Sequence, residues 1–373
     1  MDFDFSDDAK ALRDQARKLF AERAGPVAAR ASMDGTATDT ALWHTVVELG
    51  WTAARVPEAF GGIGMSTEAA CVLAEEAGRS LAPIPFIQTL NATEALISLG
   101  TAAQQARWLP GIADGSVVAV TGWAEGGAAS PAVATARFAG GTISGTKSPI
   151  ADLAGAQLAI FSATGPDGVE LYLVDLTGPG VAIAAVETLD LVRRHGSLTL
   201  TAAPAEALGT PAGYHDWLDR AAVLGAFEAL GTATAAMDMA VAYAKERVAF
   251  GQKIGRYQGI KHKCADMFIK LELARAHALH AAWAMSEGDG DNGGGGGAEL
   301  RQAASAARVA SLDALAFCAE ENLQIHGGIG FTWDSDCQFY YRRNRALVAG
   351  LGSRTFWADR LVRSLEQRNA VAA

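Results

Sequence analysis

RVAFGQKIGRYQGIKH (residues 247–262) and QIHGGIGFTW (residues 324–333) are the two stretches on which the reading of this chain turns. The first follows a helical run, AVAYAKE, and places Arg247 and Phe250 near a helix C-terminal end before Gly251 breaks it. A guanidinium there can grip a pyrophosphate through two hydrogen bonds, and Phe250 offers a face for stacking on an adenine. Gln258 follows at a spacing that can bring its amide toward the same ligand. In the second stretch Gln324 ends a long helix, and Gly327 and Gly328 let backbone approach a bulky ligand with no Cβ in the way. Taken singly, each stretch also reads as an ordinary glycine-terminated helix, with Arg247 complementing the helix dipole.

Outward from these motifs the chain changes character twice. Residues 6–109 carry helical spacing: Ser6 with Asp7 and Asp8 marks a first helix start, and Leu12, Ala16, Leu19 and Phe20 recur on one face. Pro110 and Gly111 are read as the end of this helical part. From 117 to 204 short β-branched or alternating runs (VVAVTGW, GTISGTKS, QLAIFSAT, VELYLVDL, GSLTLTA) are separated by Gly, Pro and Asp turns, the pattern of a small barrel or sandwich. Helical period returns after Gly213 and persists to Leu365. The order helix, strand, helix is an α+β layout and excludes alternating βαβ units. The expected units are 1–115, helical; 116–206, a β-domain; and 207–373, a helical bundle interrupted by a flexible glycine-rich loop at 286–298.

Composition narrows the function. In 373 residues, half are hydrophobic, 19% are charged and the net charge is −10, so a nucleic-acid partner is not expected. Basic groups cluster locally at Arg342, Arg343 and Arg345 and at Lys261, His262 and Lys263, usually a solvated face and otherwise a phosphate contact. Four scattered cysteines without CxxC pairing point to reduced thiols and no zinc site. The acidic N-terminus has no apolar signal core, and the apolar run 221–244 is broken by Glu228 and Asp238. A cytoplasmic protein without a membrane span is the expectation. GGIG at 61–64 lacks the spacing of a dinucleotide fingerprint, and there is no P-loop, GxSxG or HExxH.

With VPEAFGGIGMSTEAACVLAEEAGRSLAPIPF (56–86) and WLPGIADGS (108–116) preceding the two motifs, the chain resembles the acyl-CoA dehydrogenase family over nearly its whole length. That resemblance implies an N-terminal helical domain, a middle β-barrel domain and a C-terminal four-helix bundle. It also implies FAD as cofactor, with Arg247, Phe250, Gln258, Gln324, Gly327 and Gly328 on the adenosine and pyrophosphate half of a flavin lying mainly in a neighbouring subunit.

The family reaction removes an α-proton and a β-hydride from an acyl-CoA. It needs a carboxylate base, hydrogen bonds to the thioester oxygen and a positioned flavin. The two places where the family keeps its base fall here on Leu351 and Ala221, neither of which accepts a proton. Asp219 and Glu228 lie near Ala221 in sequence but project in other directions from a helix. On the flavin side, the family's TEP…GSD-like stretch reads AEGGAASP (124–131), and its Trp-x-Thr reads Pro149, Ile150, Ala151. Proline has no N–H, and alanine has no hydroxyl to offer a flavin.

This one-sided loss makes the chain look like the non-catalytic subunit of a heterotetrameric, steroid side-chain type dehydrogenase. A homologous catalytic subunit then supplies base and flavin pocket, and electron-transfer flavoprotein is the acceptor by family analogy. The alternatives are a self-sufficient homotetramer using Asp219, Glu228 or another, unaligned acid as a displaced base, and a flavin-free acyl-CoA-binding or scaffold protein.

Overall fold

Ser6 accepts the Ala9 N–H through its hydroxyl, and Asp7 and Asp8 stand at the positive end of the helix it caps. That helix, α1 (Asp7–Arg23), leads into α2 (Pro26–Met33), α3 (Thr40–Glu48), α4 (Thr67–Arg79), α5 (Phe86–Leu99) and α6 (Ala102–Ala113). The computed structural model describes residues 4–33, 38–126, 130–287 and 296–372, so 288–295 of the expected glycine-rich loop lie outside the described residues. Thr101 and Gln104 form a reciprocal capping box at the start of α6. This helix passes through Pro110 instead of ending there. The proline ring faces solvent in the last turn, the missing N–H removes a single helical bond, and buried Ile112 holds the turn in the core.

Eight strands then make one mixed sheet: β1 (Ala119–Gly122), β2 (Arg137–Ala139), β3 (Thr142–Ala151), β4 (Leu158–Gly165), β5 (Gly168–Asp175), β6 (Val181–Val186), β7 (His195–Pro204) and β8 (Glu206–Leu208). Their order is β6-β7-β3-β2-β4-β5-β8, with β1 parallel to β4. Strand alternation decides how this sheet meets the helices. Leu158 and Ile160 of β4 and Leu171 and Leu173 of β5 join the large core shared with the helices. Their neighbours Ala159, Phe161, Tyr172 and Val174 turn the other way, into the sheet's own core.

The C-terminal part comprises α7 (Pro211–Glu246), a small hairpin of β9 (Val248–Ala249) and β10 (Gln252–Lys253), α8 (Gln258–Glu287), α9 (Gly296–His326), α10 (Cys337–Gly350) and α11 (Arg354–Ala372). Helix α9 packs against α7, α8 and α11. Two glycines bring α4 and α7 to backbone contact. A Cβ on Gly231 would stand 1.8 Å from the Glu75 carbonyl oxygen, and one on Gly78 would stand 2.3 Å from that of Glu228. The Thr232 hydroxyl donates across the same seam to the Gly78 carbonyl, 3.0 Å away.

Candidate functional site

Arg247 is the residue at which α7 stops; its backbone is already extended (φ −65°, ψ 126°). Phe250 is not at the helix end, as its sequence position suggested, but at the tip of the β9–β10 hairpin. Ala249 pairs with Gln252, leaving Phe250 and Gly251 as a two-residue turn with φ of +52° and +82°. Positive φ at both positions is the hairpin turn that matches strand twist, and a phenylalanine pays a steric penalty to occupy it. The turn is braced by Tyr257, the residue just before α8, whose hydroxyl donates to the carbonyls of Ala249 and Phe250. Phe250 itself is 96% exposed. Arg247 and Gln258 are exposed too.

At the other motif α9 continues past Gln324 to His326, because Ile325 is buried and the His326 Nδ1 meets the Asn322 carbonyl oxygen at 2.9 Å. Gly327 and Gly328 follow in a 3-10 turn, and a Cβ built on either would touch nothing within 4 Å. The two motifs converge: the Tyr243 ring, one turn before Arg247, stacks on His326. Beside Gln324 opens a groove of 650 Å³ that includes Leu189, Phe331, Trp333, Tyr341 and Arg345. Arg247, Phe250 and Gln258 stand outside this groove.

The acids near Ala221 are held by cations. Asp219 is buried and takes a forked contact from Arg360 (2.8 and 2.7 Å), with Arg301 at 3.7 Å. Burial raises its pKa, and Arg360 opposes the rise. Glu228 lies in a buried charge cluster that also contains Asp152, Asp190, Arg193 and Arg343. Arg193 stands 2.8 Å from Glu228 and 3.6 Å from Asp152, while Arg343 bonds Asp190 and lies 3.4 Å from Glu228. Burial pushes Asp152 up to about 6 against the pull of Arg193 and Arg343. This cluster ties the 188–195 loop of the β-domain to α7 and α10. The sequence reading placed Arg343 in a surface basic run; it is 1% exposed.

Pro149 and Ala151 line a second, smaller pocket of 160 Å³. Trp123, Thr121, Gln88, Thr188, His195 and Gly350 complete most of its wall. Leu351, next to Gly350, is half-buried, and Ala221 is 2% exposed in the core.

Family models of the acyl-CoA dehydrogenase N-terminal domain and C-terminal domain match residues 6–116 and 216–365. Acyl-CoA dehydrogenase IpdE2 of Mycolicibacterium smegmatis is 31% identical over 93% of this chain and 95% of its own length. The chain belongs to the acyl-CoA dehydrogenase family. A solved Tcur3481–Tcur3483 steroid ACAD variant superposes with a TM-score of 0.88 at 33% identity, covering 97% of this chain and 99% of the other. The ChsE4–ChsE5 complex of Mycobacterium tuberculosis shares the fold at 22% identity and the same TM-score, covering 98% and 99%.

Acyl-CoA dehydrogenases are FAD-dependent flavoproteins, and the two halves of that cofactor meet different receptions here. The dinucleotide end fits: exposed Arg247, Phe250, Gln258 and Gln324 accompany two glycines with open space before them. The ring end does not. Its 160 Å³ pocket is about a quarter of the 650 Å³ groove beside it, with which it shares Leu189 and Arg345. Its polar groups are also engaged with one another: the Gln88 carbonyl oxygen accepts from the Thr121 N–H and hydroxyl, and Thr188 bonds His195.

Proposed function

We propose that this chain is the base-less subunit of an FAD-dependent acyl-CoA dehydrogenase, active as a complex with a homologous catalytic subunit. Its part is to hold the adenosine and pyrophosphate side of an FAD whose ring lies in the partner. Arg247 grips the pyrophosphate, Phe250 stacks on the adenine, and Gln258 and Gln324 donate amide hydrogen bonds. The backbone at Gly327 and Gly328 admits the cofactor closely. The partner carries the base and the flavin ring.

The observation that carries this reading is the contrast between exposed and buried residues. The dinucleotide set is exposed and free of ion pairs among the described residues, whereas both family base positions are apolar and the nearby acids are committed to arginines. The likeness to a steroid ACAD assembly supports a CoA ester of a steroid side chain as substrate, and electron-transfer flavoprotein as the acceptor follows from the family.

Purifying the chain alone, and co-expressed with a homologous dehydrogenase from the same genome, tests the proposal through flavin absorbance, native mass and dehydrogenation. A yellow heterotetramer that is active only when both chains are present is the expected result. Full FAD loading and turnover by the lone chain would rule the proposal out.

A further inference from the structure

Four buried aromatic side chains are pinned to backbone carbonyls, and one of them, Trp123, stands with its acceptor Gly350 in the wall of the ring-side pocket. The Trp123 indole N–H donates to Gly350 (2.9 Å) and that of Trp357 to Leu351 (2.8 Å). Trp217 donates to Asn91 (3.2 Å), and the Tyr214 hydroxyl donates to Pro131 (2.6 Å). The acceptors belong to separate parts of the fold: α5, the segment before β2, and the end of α10 with the residue after it. All four aromatics are buried, at 4% exposure or less. Tyr214 and Trp217 also stack on each other, with Trp217 one helical turn before Ala221.

Each of these groups fills space and fastens one segment to another, and Trp123 alone does so at the pocket itself. Trp123 links β1 to the end of α10, Tyr214 and Trp217 link α7 to the β-domain and to α5, and Trp357 holds the turn at Leu351. An indole N–H is a single donor, and here each one is used internally.

We propose that this chain closes the flavin-ring end of its own fold with Trp123, whose indole is pinned to Gly350 across the 160 Å³ pocket, leaving no room there for an isoalloxazine. The inference rests on the reading that the chain serves a partner's flavin, and it assigns the closure to a named residue rather than to missing ones. The pocket is shut by added bulk as well as by the loss of flavin-binding groups at Pro149 and Ala151.

Riboflavin, which has the ring but no adenylate, is the probe. Titrated with the full-length chain and followed by flavin fluorescence, it gives no saturable quenching with the wild type. With Trp123→Ala, which removes the link to Gly350, the apparent affinity rises at least tenfold. Trp123→Val, which also removes the ring, stands in if circular dichroism shows that the alanine variant does not fold. Saturable quenching by the wild type at one ring per chain overturns the proposal, as does the absence of any gain in a folded variant. FAD retention by the co-purified complex, with and without Arg247→Ala, reports separately on the dinucleotide contact, so either idea can fail alone.

Discussion

Tyr243 of α7 lies on His326 at the end of α9, with ring centroids 4.1 Å apart and planes 23° from parallel. This pair is what brings two distant sequence motifs to one end of the bundle. Burial lowers the His326 pKa, which favours the neutral ring stacked there. Asn322, one turn earlier, reaches the Met239 sulfur at 3.5 Å and ties the same two helices together.

Replacing Arg247 by alanine should weaken FAD retention by the complex about ten- to a hundredfold, the value of one charge-assisted contact of roughly 1.5–3 kcal/mol. The thermal midpoint of the lone chain should not move, because Arg247 is exposed and has no ion pair among the described residues. Equilibrium dialysis with FAD and a melting curve check the two halves of this expectation.

Glu228→Gln separates a structural acid from a catalytic one. It removes the carboxylate 2.8 Å from Arg193 and leaves that guanidinium facing Asp152 at 3.6 Å. The expected cost is about 3–5 kcal/mol of stability, typical of breaking a buried pair. The turnover rate per folded complex should stay unchanged. Urea unfolding and single-turnover kinetics on the same preparation distinguish this from a base, whose loss cuts the rate while sparing the fold.

Two buried groups give opposite pH responses. Burial depresses His195 to about 4, so between roughly pH 6.5 and 4 the unfolded chain binds a proton that the folded one does not, and stability falls on acidification. Asp152, raised to about 6, does the reverse: the folded chain holds its proton longer, and stability rises as pH falls from about 6 to 4. His195→Gln should therefore flatten or invert the acid loss, and Asp152→Asn should steepen it. Urea midpoints measured across that window decide it; parallel profiles for wild type and both variants would contradict the assignment.

Two glycines should respond differently to alanine. At Gly231 the new methyl would meet the Glu75 carbonyl at 1.8 Å, so α4 and α7 must separate and the chain should lose several kcal/mol or fail to fold. At Gly328 nothing lies within 4 Å, so stability should hold while FAD retention by the complex drops. Melting curves and flavin content, measured on both variants, test the pair.

The fold class was legible because its signals are local. Ser6 caps a helix by its own hydroxyl, and the strand runs alternate. Pro110 misled because what keeps its helix going is Ile112, whose burial depends on the rest of the domain. Phe250 misled in the same way: a two-residue turn requires knowing that Val248 and Lys253 pair, a contact made across the turn rather than along a helix.

For the site, the sequence by itself determined which side chains stand at the positions aligned with the family's base and flavin contacts. The side chains of Ala221, Leu351, Pro149 and Ala151 cannot accept a proton or donate a hydrogen bond in any fold, because side-chain functional groups are properties of composition. The tertiary structure decided what surrounds those positions. It committed Asp219 and Glu228 to arginines from distant elements, joined the two motifs through Tyr243 and His326, and set Trp123 against Gly350. Those outcomes depend on distances between residues far apart in the chain, and such distances are set only when the cores pack.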